Sequence, residues 1–301
     1  MNLMDKARYW LKIGRNAVDL WLKYNAFSYA GSLAFYTLFS LAPTFIIAVA
    51  VIGIFLGEEA AQGQIVAQFQ DVMGLEAATV VEKAVTQTQI DSSGLVPALI
   101  GIGALIVGAT TVFAQMQYSL NVIWGVTAKP SRSNLLIFIK KRFFSLMVVL
   151  AIGFVLLVSL VLGVALRVTF DFTAQFLPAV ETALRSAEMV VSLGVISLLF
   201  ATIFKVLPDV VLSWRDVLLG ALVTAVLFSL GRYGIAAYLA YTATASTYGA
   251  AGSVVLILLW VYYSSLILLF GAAFTKVHLE AKGRVVQPRS TAVFVQRTLV
   301  E

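Results

Sequence analysis

Arg232 is the residue of this 301-residue chain whose setting most invites chemistry. It is the one charged side chain placed well inside an apolar run, the stretch from Val217 to Tyr241. Counted from Val217 at about 1.5 Å per residue, it falls about 22 Å along a helix, in the outer half of a hydrocarbon layer. Holding a charge there costs about 2.5–3.5 kcal/mol, less where it snorkels or meets a partner. On a helix it shares a face with Ala221, Ala225, Ser229, Ala236 and Ala240. Such a small-residue face suits the inside of a bundle better than a lipid boundary. No Asp or Glu lies inside any apolar run, and Asp171 and Glu188 at the run ends come nearest. Two readings follow. Arg232 anchors an anionic group such as a phosphate or carboxylate, which its planar, permanently charged fork binds bidentately. Alternatively it is structural, snorkelling outward or bonded to carbonyls and Tyr hydroxyls.

Two polar stripes accompany it. Tyr29, Ser32, Tyr36, Ser40 and Pro43 share a face of one apolar run, with Pro43 expected to kink it. In the next, Gly101, Ala104, Gly108, Thr111 and Gln115 sit three or four residues apart. Arg232, Tyr36, Ser40, Thr111, Gln115 and Ser229 form the candidate substrate-binding set. Interhelical hydrogen bonding is the other use for these hydroxyls and amides.

Other chemistries are disfavoured. Cysteine is absent and His278 is the sole histidine, set just past the last apolar run. Disulfides, thiolate nucleophiles, multi-His metal sites and histidine-based triads in the membrane therefore have no material. No metal and no cofactor is expected. Tyr248-Gly-Ala-Ala-Gly-Ser253 is glycine-rich but lacks the Gly-Lys-Ser/Thr ending of a phosphate loop. A metal-dependent nuclease needs clustered carboxylates, and here the acids are scattered, so neither an enzyme nor a nucleic-acid partner is expected. The lack of embedded carboxylates also weighs against proton- or sodium-driven coupling.

The elements that must position these residues are membrane helices. The chain is 60% hydrophobic and only 12% charged, against about 25% charged in soluble domains. An apolar run of about 20 residues crosses a bilayer as a helix. Spans are expected at 28–56, 95–124, 143–166, 189–204, 217–241 and 248–275. Residues 1–27 form a basic amphipathic segment, with Trp10, Ile13, Ala17, Trp21 and Tyr24 at helical spacing, read as a helix lying in the headgroup region rather than a cleavable signal. Residues 28–275 form one transmembrane domain with a second amphipathic segment near Ile65–Met73, and 276–301 a basic cytoplasmic tail. Putting both termini on one side gives that side seventeen Lys/Arg and the other three, Lys83, Arg167 and Arg185. This predicts cytoplasmic termini. The fold class is thus all-α, a six-transmembrane-helix bundle with interfacial amphipathic helices.

Three stretches resemble the YihY/BrkB family of bacterial inner-membrane proteins. They are Ala34-Phe-Tyr-Thr-Leu-Phe-Ser-Leu-Ala-Pro43, Gly108-Ala-Thr-Thr-Val-Phe-Ala-Gln-Met-Gln-Tyr-Ser-Leu-Asn-Val-Ile-Trp-Gly-Val126 and Thr247-Tyr-Gly-Ala-Ala-Gly-Ser-Val-Val-Leu-Ile-Leu-Leu-Trp-Val-Tyr262. They come in the family's order, and the likeness covers roughly Asn16 to Lys282. The resemblance implies an inner-membrane location. The family was formerly associated with the name RNase BN, and members are described as virulence or serum-resistance factors, with a relative linked to lipid A or lipopolysaccharide export. The residues and the resemblance together lead to the expectation of a transporter or flippase for an amphiphilic or anionic substrate, lipid-linked or not, with membrane lipids as partners. The competing expectation is a non-transporting scaffold or envelope-assembly factor.

Overall fold

The computed structural model describes residues 3–57, 95–129, 181–241 and 250–295, with positions 59, 62, 63 and 66. Within its helices some side chains, Arg232 among them, are outside that description. The expected third span, the amphipathic segment near Ile65–Met73, most of the basic stretch 129–142 and the link 242–249 lie outside the described residues. The described part contains six long helices and one small ribbon. These are α1 (Leu3–Lys23), α2 (Ala26–Leu56), α3 (Leu95–Trp124), β1 (Val126–Ala128), α4 (Glu181–Val206), α5 (Trp214–Tyr241), α6 (Ala250–Ala281) and β2 (Ala292–Phe294). Helices α2 to α6 fall on five of the expected spans. Among the described residues, α4, α5 and α6 each hold a stretch long and apolar enough to cross a membrane.

Helix α1 forms because its apolar residues repeat at helical spacing. Ile13 and Ala17 are buried against Phe274 and Val277 in the last turns of α6. Trp21 donates its indole N–H to the Leu266 carbonyl at 3.2 Å. The chain turns from α1 into α2 at Asn25, which is left-handed at φ 52°, a conformation Asn tolerates better than most residues. Helix α2 stays helical through Pro43. A Cβ at Gly108 of α3 would lie 2.8 Å from the Pro43 ring, so the glycine is what lets α3 approach the proline. The small-residue stripe of α3 thus has a packing role at one of its members.

Helices α5 and α6 meet through a reciprocal pair. Gly220 faces Thr275, and Gly271 faces Thr224. Each threonine hydroxyl donates to the carbonyl of the glycine four residues earlier on its own helix, at 2.6 Å for Thr224 and 2.7 Å for Thr275. The hydroxyls are satisfied locally, and the glycines leave room for them. The largest core cluster joins Leu120 and Ile123 of α3, Phe200 and Phe204 of α4, Ala221 and Ala225 of α5, and Leu269 and Ala272 of α6.

Candidate functional site

The ends of α1, α3 and α6 and the turn between α4 and α5 gather at one end of the bundle. These are four of the base-rich places in the sequence. A polar network centred on Asp209 ties the end of α3, the α4–α5 turn and the segment after α6. The Asp209 carboxylate accepts from Asn121 Nδ2 at 2.8 Å and Gln117 Nε2 at 3.2 Å. Its backbone N–H donates to Asn121 Oδ1 at 2.8 Å, so the Asn121 amide is used at both ends. The segment after α6 then wraps the same turn. Arg289 N–H donates to the Asp209 carbonyl at 2.9 Å, and the Arg289 guanidinium donates to the carbonyls of Lys205, Val206 and Val210. A cation there complements the negative end of α4 and satisfies carbonyls that the helix cannot.

A second pair lies beside the first. Asp216, its side chain 5% exposed, is bonded by Arg284 and accepts from the Ser213 backbone N–H at 2.8 Å. That is half a capping box at the start of α5. Lys205 donates to the Leu212 carbonyl at 3.0 Å and stands 5.2 Å over the Trp214 ring. Lys276 donates to the Ile123 carbonyl at 3.1 Å and stands 5.5 Å over the Tyr24 ring. His278 is buried, stacked on Trp10 and Phe274, and its Nδ1 has no partner among the described residues.

The last segment also forms structure that the all-α expectation did not include. β2 pairs antiparallel with β1 in the register Val126↔Phe294, Thr127↔Val293 and Ala128↔Ala292. An isolated bridge joins Val210 to Pro288. Strands of three residues carry too little alternation to announce themselves in a sequence.

The expected substrate-binding residues are distributed along α2, α3 and α5. Tyr36 is partly exposed. Ser40 is buried and donates to the Tyr36 carbonyl at 2.9 Å. Thr111 donates to the Val107 carbonyl at 2.6 Å. Gln115 and Ser229 are half-buried. Position 232 lies in α5, three to four turns beyond Ala221 and on the same helical face as Ala221 and Ala225, which are both 0% exposed. Val226 and Leu230, turned away from that face of α5, are exposed. Asp209, Asp216, Arg284 and Arg289 were not singled out as a cluster. The available signal was two acids in the short Lys205–Asp216 stretch of an otherwise basic side. Among the described residues no group of three His, Asp or Glu could hold a metal ion.

Long apolar helices and an end tied by charge define a helical membrane protein. The family model described as "Virulence factor BrkB" matches residues 18–292, and the chain belongs to that family. All three stretches that carried the resemblance fall within the match. A UPF0761 membrane protein of Alteromonas mediterranea is 29% identical over 82% of this chain and 80% of its own length. Another, from Chromobacterium violaceum, is 30% identical over 82% of this chain and 57% of its own. The chain spans only 54% and 57% of the relatives from Paraburkholderia xenovorans and Nitrosospira multiformis. No solved structure matches the chain.

Proposed function

We propose that the chain is a six-span inner-membrane transporter or flippase-like protein, with both termini cytoplasmic, for an amphiphilic or anionic, lipid-linked substrate. The observation that supports it is the register of α5, which puts position 232 on the face of the fully buried Ala221 and Ala225. A charge inside the apolar layer needs a partner, and an anionic group is the one this reading supplies. In this reading Arg232 is the anchor, and Tyr36, Ser40, Thr111, Gln115 and Ser229 line the path. The protein is not an enzyme and uses no cofactor. The test is movement of fluorescent anionic lipid between leaflets of proteoliposomes, with native mass spectrometry of copurified lipids. Wild type is expected to move lipid, Arg232→Ala to lose the activity with normal expression, and Arg232→Lys to keep part of it. Full activity in the Ala variant would remove the anchor role.

A second reading, a scaffold that binds lipid or partner proteins, is favoured by one set of contacts. The hydroxyls of Ser40, Thr110, Ser119, Ser197, Thr224 and Thr275 each bond a carbonyl of their own helix. Hydroxyls used that way serve packing more than passage. Lipid that copurifies in an Arg232-dependent way without moving between leaflets would select this reading.

A further inference from the structure

A cavity of about 430 Å³ opens at the base-rich end, where α1, α3 and α6 meet the segment that carries β2. Lys276, Glu280 and Arg284 form its polar wall, and Trp124 and Phe294 belong to its apolar one. The Lys276 side chain is only 14% exposed and lies 4.0 Å from Glu280. An ammonium has three protons to give, and one goes to the Ile123 carbonyl. Gly125, at φ +71°, leaves the space beside it open. A Cβ there would lie 3.6 Å from Tyr24 Oη and 3.7 Å from Lys276 Nζ, so both atoms converge on one point. Arg284 bonds Asp216 through one nitrogen, and its fork carries five N–H donors.

We propose that this cavity binds a phosphate group, held by Lys276 and Arg284 beside the Tyr24 hydroxyl, with Glu280 displaced from Lys276. Donors on several sides suit a tetrahedral oxyanion better than a planar carboxylate. Lys276 supplies a point charge and Arg284 a fork, the two recurrent phosphate ligands. The same donors take a phospholipid headgroup, whose glycerol end would lie against Phe294, or inorganic phosphate. The site is independent of Arg232 and of the transport reading.

The test uses the purified chain in phosphate-free dodecyl maltoside micelles, either alone, with added phosphatidylglycerol, or with added inorganic phosphate. Phosphatidylglycerol is expected to raise the melting temperature and to protect Lys276 from an amine-reactive reagent, read by mass spectrometry. The same effects with inorganic phosphate assign a free-phosphate site, and effects with phosphatidylglycerol alone assign a lipid headgroup. Lys276→Met and Arg284→Gln are expected to weaken binding about tenfold or more, and Glu280→Gln to strengthen it. Glu280 is exposed, so that last variant leaves the fold intact. Wild-type Lys276 left equally reactive under all three conditions overturns the proposal, as does wild-type affinity in folded Lys276→Met protein.

Discussion

Asn121 and Asp209 bond each other in both directions at the base-rich end, and their energetics can be stated residue by residue. Asn121 is buried and satisfies both a carboxylate oxygen and the backbone N–H of the same residue. Asn121→Leu would keep the volume roughly but leave Asp209 with one side-chain donor, Gln117, and an unpaired N–H. A buried polar group stripped of its partner costs about 1–3 kcal/mol, and a charged one more. Asn121→Leu is therefore expected to destabilise by about 2–3 kcal/mol, read as a lower melting temperature in detergent, whereas Asp209→Asn costs less because an amide can still accept. Equal melting of wild type and Asn121→Leu would show that the network adds nothing. Asn121 was legible in the sequence only as a polar residue near a helix end. Its partner stands 88 positions away, and no local pattern encodes such a pairing. Arg232 was legible for the opposite reason. A charge inside an apolar run is visible without any partner, which is why the sequence speaks of it so clearly.

At the scale of elements, what apolar periodicity and run length encode is what the helices show. The runs read as spans coincide with α2 to α6 to within a few residues at most ends, and α1 follows from its amphipathic spacing. The main differences are α4, which begins at Glu181 rather than near Met189, and α6, which runs on to Ala281 rather than stopping near Thr275. Lys276 and His278 interrupt the apolar pattern there, but both are packed against α1 and α3 through Tyr24, Trp10 and the Ile123 carbonyl. Which helix meets which was less legible, because glycine marks a close approach without naming the partner. The α5–α6 crossing makes the point testable. A Cβ on Gly271 would overlap the Thr224 Oγ1 and lie 2.9 Å from Phe204, and overpacking of this kind costs about 1–3 kcal/mol. Gly271→Ala is expected to lower thermal stability by that amount. Adding Thr224→Ala should recover part of the loss, since it removes the nearest obstruction. A double variant that melts at the sum of the two single losses would mean that the two residues do not meet.

At the scale of the whole molecule, one observation bears on how the chain sits in the bilayer. Four segments far apart in sequence, the end of α1, the end of α3, the α4–α5 turn and the stretch after α6, are tied together at one end by Asp209, Asp216, Lys276 and Arg289. They carry the bases that the charge asymmetry assigns to a single side. Their gathering requires that side to be shared, and the excess of Lys and Arg argues that it is the cytoplasm. The chain has no cysteine, so single cysteines can be placed on a natural background. Thr127, Val211 and Val285 are exposed at the gathered end, while Glu59 is exposed just beyond the far end of α2. With a membrane-impermeant maleimide, Glu59→Cys is expected to label in intact cells. Thr127→Cys, Val211→Cys and Val285→Cys should label only once the inner membrane is opened. Labelling of Val285→Cys in intact cells together with Glu59→Cys would break the shared-side arrangement. A full exchange of the two patterns would invert the protein and move any anchoring by Arg232 from the outer half of the bilayer to the inner.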